Sequence, residues 1–175
     1  MIKKLSTLVA GLALICLTGC TSPQKGTAQN DVFSPIEVAV PERPAGQQDV
    51  IQLTTPKLDT VRVGFIGLGM RGPGAVERWT HIPGTKIVAL CDLLPENAER
   101  AQKIVTNAGM EAPVLYSGSE DAWKQLCERN DIDLVYIATD WKHHAEMGVY
   151  AMEHGKHVAI EVPSAMTLDE IWALI

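Results

Sequence analysis

The sequence predicts an α/β fold, a doubly wound parallel sheet, and three observations carry that prediction. From Val61 onward, short apolar runs alternate with helical patterns. The first run ends in a Gly-x-Gly-x-x-Gly turn. The second run ends in an aspartate.

The first strand holds Val61, Val63, Phe65 and Ile66, with no charge after Arg62, as suits a strand buried on both faces. Gly67-Leu68-Gly69-Met70-Arg71-Gly72 follows directly. Gly67 allows a tight turn, Gly69 lets the backbone approach a pyrophosphate, and Gly72 lets the next helix pack closely on the strand. That helix starts with Pro73 in its first turn and runs to about Thr80. Its free N–H groups and positive dipole end face the phosphates. The second strand, 86–91, leads into Asp92, twenty residues beyond Gly72, where a carboxylate takes both hydroxyls of an adenosine ribose. Strand, turn and acid together predict a bound dinucleotide, although glycine turns alone also serve other α/β domains.

A second helix is expected over 96–108, after Pro95 and before the stop at Gly109. A short strand follows at 114–116. Ser119 is then expected to cap a helix with Ala122, Trp123, Leu126 and Cys127 on one face. A fourth strand, 134–138, passes through Thr139 and Asp140 into a helix over 143–154 that Gly155 closes. The fifth strand is 157–162, and Thr167-Leu168-Asp169-Glu170 is a capping box that opens a last helix. That helix is cut at Ile175, so the chain reads as a fragment, truncated before a second domain. Trp79, Trp123 and Trp172 fall at helical core spacing and are assigned no function.

Ligands of such sheets lie beyond the carboxyl ends of the strands, where strand order reverses. The loop after strand four brings Trp141, Lys142, His143 and His144 there, and the loop after strand five brings Glu161, Val162 and Pro163. Cofactor contact is the favoured reading of these residues, with an ordinary polar helix start as the alternative. Neighbouring histidines do not share a helix face and no third ligand is suitably spaced, so no metal is expected.

Residues 1–19 form a leader. Lys3 and Lys4 precede a mostly apolar stretch over 5–17, and Leu17-Thr18-Gly19-Cys20 closes it. This resembles a bacterial lipoprotein signal, cleaved before Cys20 with lipid on that thiol; an uncleaved anchor or an ordinary secretory signal are the alternatives. The expected location is outside the cell's inner compartment, tethered to a membrane by lipid and without a spanning helix. Residues 20–60 carry Pro23, Pro35, Pro41, Pro44 and Pro56 and read as a tether and extended arm, with a short strand at 50–53. The cofactor domain is 61–175.

Of 15 basic residues two leave with the leader, so 13 face 21 acidic ones, a net of −8. With no basic cluster left, nucleic acid is not expected as a partner. Cys91 and Cys127 read as small core residues and not as a disulfide or metal pair.

The run VRVGFIGLGMRGPGAVERW, the strand ending at Asp92, Trp141-Lys142-His143-His144 and Glu161-Val162-Pro163 together resemble the NAD-binding half of the Gfo/Idh/MocA family. Within it they are most similar to glycoside hydrolase family 109, the NAD-dependent α-N-acetylgalactosaminidases. The resemblance implies a Rossmann domain, here without the α+β substrate domain, and NAD as cofactor. It places Met70 and Arg71 in the glycine turn against the cofactor, Asp92 on the adenosine ribose, and Trp141 to His144 with Glu161 and Val162 on the nicotinamide side. It also implies transient oxidation at the sugar's C3, elimination, water addition and re-reduction, with the proton-transferring residues beyond Ile175. The substrate would be a glycan ending in α-N-acetylgalactosamine.

Most dehydrogenases of the wider family carry Glu-Lys-Pro where this chain has Glu161-Val162-Pro163, and Thr-Pro-Asn where it has Thr139-Asp140-Trp141. A valine neither donates nor accepts a proton, which weakens the plain dehydrogenase reading. A sugar dehydrogenase and a non-catalytic truncated module remain the rival readings. The fragment by itself is expected to be inactive, to expose apolar surface and to self-associate, a homo-oligomer being one outcome.

Overall fold

The structure, a computed structural model, describes residues 37–48 and 51–175. The leader, Cys20 and the start of the tether lie outside the described residues. The chain divides into two compact units, Met1–Ala39 and Val40–Ile175, and every element below belongs to the second.

Among the described residues five strands and five helices alternate: β1 Val61–Ile66, α1 Gly72–Trp79, β2 Thr85–Cys91, α2 Pro95–Asn107, β3 Val114–Tyr116, α3 Ala122–Cys127, β4 Leu134–Ile137, α4 His144–Glu153, β5 His157–Ile160 and α5 Leu168–Leu174. The sheet order is β3-β2-β1-β4-β5 and every pairing is parallel. Parallel neighbours need crossovers, which is why each strand is followed by a helix. The chain winds outward one way from β1 through β2 to β3, then returns to the other side of β1 with β4. The reversal therefore falls between β1 and β4.

Side-chain alternation along β1 divides the core in two. Val63 and Phe65 point toward α1 and α2, where they meet Ala75, Val76, Ala98, Ala101 and Val105. Ile66 points to the other face, toward Trp123, Leu126 and Cys127 of α3 and Met147 and Ala151 of α4. Gly64 shares that face because a Cβ there would lie 2.8 Å from Leu126 Cδ2, inside van der Waals contact. β2 slips by one residue against β1 after Val63, so that Gly64 pairs with Ala89 and Val88 is bypassed. The slip turns Val88 and Ala89 to the same core.

Arg62 and Asp133 bind the lower end of the sheet. The guanidinium donates to both carboxylate oxygens, at 2.9 and 2.6 Å, and the Arg62 N–H donates to Oδ2 at 2.8 Å. That fork geometry is the strong form of the pair. Cys91 and Cys127 are buried free thiols, each pushed up to about 12 chiefly by burial, so both act as small apolar core residues.

Several expectations need correcting. Ser119 does not cap α3: its Oγ accepts from the Asp121 N–H at 3.3 Å in a turn that precedes the helix, which begins at Ala122. β5 stops at Ile160, so Glu161 and Val162 stand in the loop beyond it. No strand forms at 51–53; Ile51 and Gln52 make a turn, and Val50 lies outside the described residues. Trp172 is not a core residue, since α5 has no buried side chain. Its indole N–H donates to the Pro41 carbonyl at 2.8 Å, the Gln47 side-chain amide donates to its carbonyl, and Arg43 stands over its ring. The compact unit thus takes in the arm from Val40, which lies against α5. No helix among the described residues is long and apolar enough to cross a membrane.

Candidate functional site

A cleft of about 710 Å³ opens beyond the carboxyl ends of the strands, at the reversal between β1 and β4. Its floor is the turn between β1 and α1. Gly67 has a φ of +89°, and a Cβ on it would stand 2.6 Å from the backbone of Ala138 and Thr139. Only glycine lets the turn after β1 touch the loop after β4 this closely. Gly72 answers to a similar constraint: its Cβ would lie 2.1 Å from the Gly67 carbonyl oxygen. Gly72 opens α1 directly against the residue that follows β1, the close helix–strand approach expected of it, and it does not line the cleft.

Gly69 is different. A Cβ there would meet nothing within 4 Å, and the position borders the cleft. The N–H groups of Gly69, Met70 and Arg71 make no hydrogen bond among the described residues. Open space beside unpaired donors at a helix start suits a diphosphate.

Asp92 closes one end of the cleft. Its Oδ2 accepts from the Leu68 N–H at 2.6 Å, and Oδ1 accepts from the Leu94 N–H at 2.9 Å and the Asn97 side-chain amide at 3.0 Å. Three donors fix the carboxylate in place while it still borders the cleft. Nearby, Arg100 on α2 donates to the carbonyls of Leu68 and Gly69 at 3.1 and 3.5 Å and to Asn97 Oδ1 at 3.0 Å. Both backbone groups of Leu68 are thus held by side chains that come from beyond β2.

At the other end, Trp141 and Val162 expose 59% and 81% of their surface, and Met70 stands out at 89% from the turn. These apolar side chains rim the mouth. His143 Nδ1 lies 2.7 Å from Asp140 Oδ2, and the Lys142 N–H donates to Asp140 Oδ1 at 3.0 Å. Partial burial works against the Asp140 charge, but these bonds outweigh it and hold the carboxyl below its usual range. Glu161 accepts the Tyr136 hydroxyl on Oε1 at 2.6 Å.

Of the residues singled out from sequence, Gly67, Gly69, Met70, Arg71, Asp92, Trp141, His143, His144, Glu161 and Val162 all border this one cleft. Lys142 does not. His144 borders it but is only 1% exposed, and its ring nitrogens face the carbonyl oxygens of Pro163 at 2.8 Å and Thr139 at 3.1 Å. It joins the β4 loop to the β5 loop and has no ring nitrogen left for a ligand. Sequence reasoning missed Asn97 and Arg100, whose spacing of three along α2 places both over the turn. It also missed Ser119, Glu120 and Trp123 on the wall beside Asp92. Among the described residues no group of three or more His, Cys, Asp or Glu is placed to hold a metal ion.

Residues 61–175 match the Gfo/Idh/MocA oxidoreductase family over its NAD-binding Rossmann fold. The chain belongs to that family. This Gfo/Idh/MocA domain is similar in fold to the myo-inositol dehydrogenase of Lactobacillus casei, solved with NAD(H) and myo-inositol, at 28% identity and a TM-score of 0.55 over 63% of this chain and 31% of that one. In sequence it is 83% identical over its whole length to glycosyl hydrolase family 109 protein 1 of Phocaeicola vulgatus and 70% identical to the protein of that name from Bacteroides thetaiotaomicron. The chain spans 37% of the length of each. The cofactor of this NAD-binding domain is NAD, and the residues present fit it: the unpaired N–H groups and the open face at Gly69 suit the diphosphate, and the fixed Asp92 suits the ribose.

Proposed function

We propose that this chain is the NAD-binding part of a lipid-anchored glycosidase that hydrolyses α-N-acetylgalactosaminides. The observation that carries the reading is Val162. It stands 81% exposed on the cleft rim, next to Glu161, where the wider family's dehydrogenases carry lysine. An aliphatic side chain there cannot take the hydroxyl proton that net oxidation releases. The relatives named as family 109 glycosyl hydrolases support the same reading.

When bound, NAD would take a hydride from the sugar's C3 and give it back, leaving hydrolysis without net redox change. The chain's own part is positional. The glycine turn presents N–H groups to the diphosphate, and Asp92 orients the adenosine ribose. Val162, Trp141 and Met70 form an apolar rim at the mouth of the cleft. Glu161, held by Tyr136, borders the cleft beside Val162. Holding a returned hydride requires that the cofactor stay bound through the cycle, and a cleft with a fixed floor serves that end.

Lipid attachment at Cys20, export and a membrane-tethered location belong to the same proposal. They are supported by the lipoprotein-type leader. A glycan ending in α-N-acetylgalactosamine is the proposed substrate.

The test is hydrolysis of an α-N-acetylgalactosaminide by the intact protein in heavy water. The elimination step exchanges the C2 hydrogen with solvent, so the released sugar should carry deuterium at C2 while no NADH accumulates. Product without deuterium at C2, or NADH rising in step with product, would overturn the glycosidase reading in favour of a dehydrogenase.

A further inference from the structure

The cleft binds a diphosphate only if the turn after β1 faces it with donors and not with carbonyls. Peptide units are planar and trans, so the C=O of one residue and the N–H of the next point in opposite directions. In the Leu68–Gly69 unit the C=O is directed at the Arg100 guanidinium, 3.1 Å away. The Gly69 N–H therefore points away from Arg100. The Gly69–Met70 unit follows the same rule, with its C=O 3.5 Å from the same nitrogen. Arg100 does not border the cleft, whereas Gly69 and Met70 do.

We propose that Arg100 is a positioning residue for the diphosphate: by holding the Leu68 and Gly69 carbonyls on the α2 side, it turns the next N–H groups into the cleft before any cofactor arrives. Asn97 is the second half of the device. Its oxygen accepts from Arg100 at 3.0 Å and its amide donates to Asp92 at 3.0 Å, so one side chain sets the distance between the carbonyl holder and the ribose carboxylate. Asp92 in turn holds the Leu68 N–H at 2.6 Å. Leu68, just ahead of the diphosphate, is thus held at its N–H by the anion and at its C=O by the cation, two successive peptide units fixed by a pair that Asn97 spaces apart. A turn fixed in advance loses less freedom when the cofactor binds, and affinity gains by that amount. The inference concerns the NAD site alone and stands whether the enzyme hydrolyses or oxidises its substrate.

The experiment compares the intact protein with Arg100→Ala, titrating NAD, NADP and ADP and following amide hydrogen exchange without cofactor. Expected is an equal loss for all three ligands of about fivefold, the effect of roughly one net hydrogen bond. Exchange should quicken at Leu68, whose N–H is the held amide of the turn, while the amides of α2 keep their protection. Arg100→Lys, which retains charge and one donor to a carbonyl, should recover part of the loss. Unchanged NAD affinity would overturn the proposal. So would a loss confined to NADP, which would make Arg100 a direct 2′-phosphate ligand, or quickened exchange throughout α2, which would make it a plain stabiliser of that helix. Should Arg100→Ala fail to fold, Arg100→Gln takes its place in the same comparison.

Discussion

Tyr136 donates its hydroxyl to Oε1 of Glu161 at 2.6 Å, linking the β4 side chain that packs on Phe65 to the loop that closes the cleft. Burial, and then the neighbouring carboxylate, raise the Tyr136 hydroxyl above its ordinary value, so the bond persists across the physiological range. Tyr136→Phe should lower stability by about 1 kcal/mol, read as a lower urea midpoint at unchanged slope. An unshifted midpoint would mean that water replaces the phenol at no cost.

The glycines of the turn should separate by function. Gly67→Ala combines a φ of +89° with backbone 2.6 Å away, and should cost at least about 1–3 kcal/mol and abolish NAD binding. Gly69→Ala meets no atom, so its Tm should stay near that of the parent while NAD affinity falls, because the methyl enters the space of the diphosphate. Thermal melts and NAD titrations of both variants decide this. Equal destabilisation would show that Gly69 serves the fold.

NAD should bind at least about tenfold tighter than NADP, since a 2′-phosphate would face the Asp92 carboxylate. Arg100 lies close by, but its guanidinium is taken by the Leu68 and Gly69 carbonyls and Asn97. Asp92→Ala should narrow the preference and weaken both cofactors, because the Leu68 N–H loses its acceptor. Parallel titrations test it, and NADP affinity equal to that for NAD in the parent protein would refute it.

Acid should weaken the fold through Asp133. The Arg62 guanidinium bonded to it lowers the carboxyl below its ordinary 3.8. A depressed folded value means the stabilisation is complete above 3.8 and drains as the pH falls from there through the lower value held in the fold. Asp133→Asn should therefore lower Tm at neutral pH and flatten the acid side of the Tm-against-pH curve. A curve parallel to that of the parent would assign the acid sensitivity to other carboxylates.

Cys20→Ser should leave the domain's Tm and NAD affinity untouched and move the exported protein from the membrane fraction to the soluble one. Retention in the membrane fraction after processing would count against lipid attachment at that thiol.

The amino-acid sequence alone determined what is local to one strand–turn–helix unit. The alternation of strands and helices, the glycine turn, Asp92 at the end of β2 and the Thr167–Glu170 capping box are all set by neighbours a few residues apart. Their signals are steric or periodic, so they survive without knowledge of the partners. Tertiary structure decided the rest, because it depends on which way a helix is rotated and which strands become neighbours. His144 reads as a loop histidine until packing buries it between the Thr139 and Pro163 carbonyls. Glu161 reads as the end of a strand until β5 stops short and Tyr136, 25 residues earlier, takes its carboxylate. Trp172 reads as a core residue until the arm at Pro41 accepts its indole N–H. Arg100 carries no signal in the sequence, and only the packing of α2 on β2 and β3 brings it over the Leu68 carbonyl. Each of these contacts joins groups far apart in sequence, and their geometry exists only once the sheet order β3-β2-β1-β4-β5 has formed.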